Sequence, residues 1–298
     1  MGRDRPGVGP SPALGVRMGK KRREPVPADP LFPLIDGHTH LDSCGGTDPD
    51  GVHAVMDRAE AVGVAAVVTV GCHVCTLDAA VMAAETDNRV WAAVAQHPMD
   101  AHEIDDAGRE RLADLVRHPR VVAVGECGLD YYWLQHDPEN TATQEQQEEL
   151  FRWHIELAKE VDKPLMIHTR DADEDLIRII DEAGAPEKTI IHCFSSGLDM
   201  AHQCIDRGFY ATFGGATTFK ANEELREVVR IFPRNRIMVE TDAPYLTPEP
   251  FRGSKNEPQF VAYTAYRLAE VTGLSAAEFA ELTTRNACRV YGIPFPEK

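Results

Sequence analysis

The sequence predicts an α/β protein, and within that class a single-domain (β/α)8 barrel. Three observations lead there. Short apolar runs alternate with longer amphipathic stretches from residue 31 onward, the pattern of strand–helix units on a parallel sheet. Eight such runs occur, the number a closed barrel needs. An open doubly wound sheet would normally carry a Gly-rich phosphate loop after its first strand, and none follows here. At 298 residues the chain is long for one domain, but barrels reach this length, and 43% hydrophobic residues suffice for a large core.

Residues 1–30 stand apart. Seven basic residues against three acidic ones give this segment +4, so the remaining chain carries −21 of the total −17. Rich in Gly and Pro and without hydrophobic periodicity, the segment is expected to be a disordered tail. It has no apolar core of a secretory signal. The domain assigned to the barrel is 31–298. Its candidate strands are 31–36, 65–70, 90–95, 121–124, 164–167, 189–191, 209–213 and 236–239. Helical patterns fall between them, among them 51–62, 144–161, 171–183, 223–231 and 259–271. Pro164 and Pro186 end helices sharply. A last helix, 276–290, is expected to pack outside the barrel.

The acidic balance argues against a broad basic nucleic-acid face but not against a polyanion held locally by metal ions. No run approaches the ~20 apolar residues of a membrane span. Seven scattered cysteines resemble a reduced cytoplasmic set more than a disulfide framework. Cys72-His73-Val74-Cys75 has redox or zinc spacing, but no second Cys pair follows. It reads as a strand-to-helix loop with two small buried residues.

The titratable residues follow the strands. His38 and His40 come after the first, His97 after the third, and Glu126 after the fourth. His168, His192 and Asp242 follow the fifth, sixth and eighth. In a barrel these ends converge on one mouth. So many imidazoles and carboxylates in one pocket would be costly without a cation, so they read as a site for two divalent metal ions. His38, His40 and Asp242 lie on neighbouring strands and can hold one ion, His168 and His192 the other, with Glu126 bridging. Two ions clamping a water lower its pKa, which sets hydrolysis as the reaction but leaves phosphodiester, ester and amide substrates open. Imidazole-rich ligation suits Zn²⁺ or Mn²⁺; the carboxylates keep Mg²⁺ available.

Five motifs in order carry a family likeness: Asp36-Gly37-His38-Thr39-His40, Gly125-Glu126-Cys127-Gly128-Leu129-Asp130-Tyr131-Tyr132, Ile167-His168-Thr169-Arg170, Ile191-His192-Cys193-Phe194-Ser195, and Glu240-Thr241-Asp242-Ala243-Pro244-Tyr245-Leu246. The set resembles the TatD family of metal-dependent deoxyribonucleases over roughly residues 31–293. The resemblance implies an amidohydrolase-like barrel with two divalent metals, acting 3′ to 5′ on DNA, with RNA or aminoacyl-tRNA as further substrates. It makes Asp242 both ligand and general base, and places His97 where it can hydrogen-bond a phosphate or the leaving oxygen. Arg170 and Arg252 become candidate phosphate contacts; Tyr131, Phe194 and Tyr245 become candidate base-stacking residues. Two departures stand out: Ala95-Gln96 where the family usually has glycine, and Ser254 where it carries lysine. A cytoplasmic enzyme is expected, and a monomer is compatible with the sequence. An ester or amide hydrolase such as an aminoacyl-tRNA deacylase could use the same water. A metal-binding interaction protein is disfavoured, because it would leave a complete ligand set without a role.

Overall fold

The computed structural model describes residues 24–297. Eight strands alternate with helices: β1 (Leu34–Thr39), α1 (Pro49–Glu60), β2 (Val64–Gly71), α2 (Leu77–Thr86), β3 (Val90–Val94), α3 (Asp106–Leu115), β4 (Val121–Asp130), α4 (Tyr131–His136), α5 (Gln144–Glu160), β5 (Leu165–Arg170), α6 (Asp173–Ala183), β6 (Thr189–Ile191), α7 (Leu198–Asp206), β7 (Tyr210–Phe213), α8 (Glu223–Ile231), β8 (Ile237–Val239), α9 (Val261–Thr272) and α10 (Ala276–Tyr291). The strands pair in sequence order, all parallel. The chain just after β8 closes the ring onto β1. Thr39 and Ala243 form a parallel bridge, His40 N–H donates to Ala243 O at 2.8 Å, and Asp242 N–H donates to His38 O at 3.0 Å. This is the expected (β/α)8 barrel.

Parallel strands covered on both faces carry apolar residues throughout, and the core accordingly has two parts. One lies between the sheet and the helices; the other fills the barrel interior with Ile35, Val68, Met166, Ile190 and Met238. The last helix departs from expectation here. Phe279 and Ala280 belong to the outer layer, but Val290 and Tyr291, at its far end, join the interior cluster, and Tyr291 Oη donates to Gly37 O at 2.9 Å. The end of α10 thus packs into the barrel floor, at the end opposite the mouth.

Local chemistry sets the helix ends. Asp48 caps α1 by accepting from Gly51 N–H at 2.8 Å, and Thr143/Gln146 and Ser275/Glu278 form capping boxes on α5 and α10. The expected tail falls largely on residues 1–23, which lie outside the described residues. Residues 24–30 have no regular secondary structure, and the Val26, Pro27 and Asp29 carbonyls accept hydrogen bonds from the Tyr263 and Tyr266 hydroxyls. No described helix is long and apolar enough to cross a membrane.

Candidate metal centre

Two strands share one device. In β1, Asp36 pairs with Val67 of β2 and Thr39 with Thr69, so one extra residue is accommodated at Gly37–His38. In β4, Val124 pairs with Leu165 of β5 and Cys127 with Ile167, leaving one extra residue at Gly125–Glu126, whose peptide bond is cis. Such bulges re-aim side chains beside active sites. A Cβ on Gly125 would lie 2.4 Å from Met166 Cβ, so a side chain there would force Met166 aside. The same bulge carries β4 on to Asp130, beyond the expected end at residue 124.

The bulges bring distant residues together. Glu126 is only 5% exposed and faces the pocket with both oxygens. Its Oε1 lies 2.8 Å from His168 Nδ1, 2.8 Å from His192 Nε2 and 3.5 Å from His97 Nε2. Its Oε2 faces the other side, 3.5 Å from His38 Nε2 and 3.9 Å from His40 Nε2. Asp242 Oδ1 is 3.7 Å from each of the same two nitrogens. Asp242 has φ +51°, a left-handed conformation that non-glycine residues adopt at a cost and that clusters at functional sites.

The donor set fits divalent ions. His38 Nε2 and His40 Nε2 converge to 3.3 Å, about the 3.3 Å separation of two nitrogens at ~2.05 Å from one tetrahedral ion. His38, His40 and Glu126 offer ligand atoms to one ion, and Glu126, His168 and His192 to another. The two groups share only Glu126.

A further ring of carboxylates, unread in the sequence, orients the imidazoles. Asp130 Oδ2 lies 3.0 Å from His168 Nε2, which frees Nδ1 to face the pocket. Glu240, fully buried, accepts from Thr212 Oγ1 and holds Oε1 at 3.5 Å from His192 Nδ1. Asp36 accepts from Thr241 N–H at 2.8 Å and Thr241 Oγ1 at 2.6 Å, fixing β1 to the segment after β8. Acidic residues at buried strand ends were the available signal: Asp130 and Glu240 both stand within the motifs quoted above.

The electrostatics follow this arrangement. Burial alone would raise the Glu126 carboxyl, but His192, His168 and His97 outweigh it and hold it well below the usual carboxylate range. Burial, followed by His192, pushes His38 well down, keeping its imidazole neutral as a ligand must be. Burial also opposes charge on His168 and His192, yet Asp130 and Glu126 raise the first and Glu126 and Glu240 the second. Negative groups therefore stabilise positive charge at this point.

The remaining sequence candidates divide. His97 Nδ1 accepts from Met99 N–H at 3.3 Å, which leaves Nε2 as the N–H turned into the pocket. Arg170 lies over the Tyr132 ring at 3.6 Å and Arg252 over Phe219 at 4.1 Å; among the described residues neither is held by an ion pair. Tyr245 is 59% exposed with its ring 6.4 Å from that of His40. Tyr131 lines the mouth, but its hydroxyl bonds Asp175 at 3.1 Å and Glu148 at 3.4 Å. Phe194 is not a mouth residue. Cys193 takes φ +45°, and Phe194, 2% exposed, packs against Phe213 and Phe232 in the outer core. Gln96, where glycine was the family norm, ties the mouth loops: it accepts from Val74 N–H at 2.9 Å and donates to Asp100 O at 2.7 Å.

The model of the family described as TatD related DNase matches residues 35–292. The chain belongs to the TatD family. It is 48% identical to the "uncharacterized metal-dependent hydrolase TatD" of Mycobacterium tuberculosis, over 87% of this chain and 98% of that one. It is 32% identical to the "3′-5′ ssDNA/RNA exonuclease TatD" of Escherichia fergusonii, over 81% and 93%. The crystal structure of YjjV, a TatD homologue from Escherichia coli K12, superposes with a TM-score of 0.79 at 27% identity, covering 88% of this chain and 98% of that one. The protein is therefore a metal-dependent hydrolase of the TatD type.

Proposed function

We propose that this TatD-family hydrolase is a 3′–5′ exonuclease on single-stranded DNA, with RNA as a second substrate, working in the cytoplasm with two divalent ions. The supporting observation is Glu126, whose two oxygens face separate imidazole groups. The relative in Escherichia fergusonii named as an ssDNA/RNA exonuclease supports the substrate. His38, His40 and Asp242 are the proposed ligands of one ion, His168 and His192 of the other, and Glu126 of both. A bound divalent pair supplies Lewis-acid charge and an acidified water.

The chain's own groups do the rest. Asp242, 15% exposed at the pocket edge, accepts the proton of the attacking water. His97 Nε2–H donates to a phosphate or leaving oxygen. Arg170 and Arg252 fork onto phosphate oxygens. Tyr245 and Tyr131 offer rings to a terminal base. Purified protein, loaded with Mg²⁺ or Mn²⁺ and given 5′-labelled single-stranded DNA, is expected to shorten it from the 3′ end and release mononucleotides; intact DNA with confirmed metal loading overturns the reading.

A second reading, hydrolysis of an aminoacyl ester, has one observation behind it. A cavity of about 550 Å³ beside the mouth is lined by Asp171, Asp173, Glu174 and Asp175 together with Arg170, a wall suited to an ammonium group. Turnover of aminoacyl-tRNA without DNA cleavage would select it.

A further inference from the structure

We propose that Cys75 is a nucleophilic thiol open to modification by hydroperoxides, with His73 as its base and Glu103 as the residue that orients the base. All three lie on mouth loops, outside the proposed metal ligands. The loop reading placed Cys75 among small buried residues; instead it is exposed, while Cys72 is partly buried.

The geometry is that of nucleophile, base and orienter. Cys75 Sγ lies 3.0 Å from His73 Nδ1. The Cys75 amide N–H also donates to Nδ1, at 3.3 Å, so Nδ1 carries the lone pair. Nε2 then carries the proton and donates to Glu103 Oε2 at 2.8 Å. This tautomer lets the imidazole take the thiol proton while the carboxylate stabilises the resulting cation. The loop is fixed on several sides: Thr76 N–H donates to His73 O at 2.7 Å, His73 N–H to Thr76 Oγ1 at 3.2 Å, and Val74 N–H to Gln96 Oε1 at 2.9 Å.

The reaction balances. Cys75 sulfur, its proton passed to His73, attacks one oxygen of hydrogen peroxide. An S–O bond forms, the O–O bond breaks, and the departing hydroxide takes the proton from His73 and leaves as water. Sulfur is oxidised by two electrons to a sulfenic acid, and the peroxide is reduced.

The test uses the metal-loaded full chain. Iodoacetamide at pH 7, followed by peptide mass spectrometry over the seven cysteines, is expected to label Cys75 first. The rate should fall at least tenfold in His73→Gln and about threefold or more in Glu103→Gln, with melting temperature and metal content unchanged. Should His73→Gln not fold, the Glu103→Gln rate decides. Hydrogen peroxide with dimedone should leave a dimedone adduct on Cys75. Labelling rates within twofold of wild type in the variants, or Cys75 still a free thiol after peroxide, would overturn the proposal. So would a third zinc on His73, Asp100 and Glu103, whose side chains are close enough to share an ion, if Cys75 reacts only after its removal.

Discussion

Replacing Glu126 by Gln separates a bridging carboxylate from an ordinary ligand. Its two oxygens face different imidazole groups, so the substitution should weaken both ions at once. At a free-ion concentration about 100 times Kd, each occupied site stabilises the fold by about 2.7 kcal/mol and two sites by about 5 kcal/mol. At 2–4 °C per kcal/mol, divalent ions should raise the wild-type Tm by about 10–20 °C. Loss of even an orienting partner weakens a site about 10- to 100-fold, and loss of a direct ligand should cost no less. A 100-fold loss at both sites leaves about 0.4 kcal/mol each, and the shift falls to roughly 2–3 °C. His38→Ala removes a ligand from one group only and should keep about half the wild-type shift. Thermal melts of each variant, with metal against its own metal-free form, read this directly. A Glu126→Gln protein that keeps as much of the wild-type shift as His38→Ala does would refute the bridge.

Other outcomes follow from the same structure. Asp130→Ala removes the acceptor at 3.0 Å from His168 Nε2 and should weaken one ion about 10- to 100-fold by titration calorimetry, leaving the other within about twofold. Phe194→Ala should cost about 3–5 kcal/mol of stability, because the ring fills the outer core, with little effect on substrate KM in the protein that remains folded. His154, fully buried, has its pKa lowered to about 3, chiefly by burial. Its folded pKa lies below the unfolded value of about 6.5, so its contribution is complete above pH 6.5 and is lost as pH falls toward 3, on the order of 5 kcal/mol in total. His154→Gln should flatten the fall in chemical-denaturation stability over that window; an unchanged pH dependence would contradict this reading.

The barrel was legible because strands buried on both faces read as unbroken apolar runs. The same signal failed in β4, where Gly125 and Glu126 interrupt the run although the strand continues through a bulge to Asp130. The pocket imidazoles were legible because each follows an apolar run, although His38 and His168 prove to lie within β1 and β5 themselves. Phe194 was misplaced because the side on which residue 194 emerges depends on the left-handed turn at Cys193, which no periodicity reports. Asp130 and Glu240 were present in the quoted motifs, but their contacts with His168 and His192 join separate strands. The reach of α10 under the floor likewise depends on tertiary packing at Val290 and Tyr291.

Anomalous diffraction from crystals grown with Mn²⁺ or Zn²⁺ tests the metal centre most directly. Two peaks about 4 Å apart are expected on either side of the Glu126 carboxylate, one against His38 and His40, the other against His168 and His192. A single peak, or two peaks of which neither touches Glu126, would contradict it.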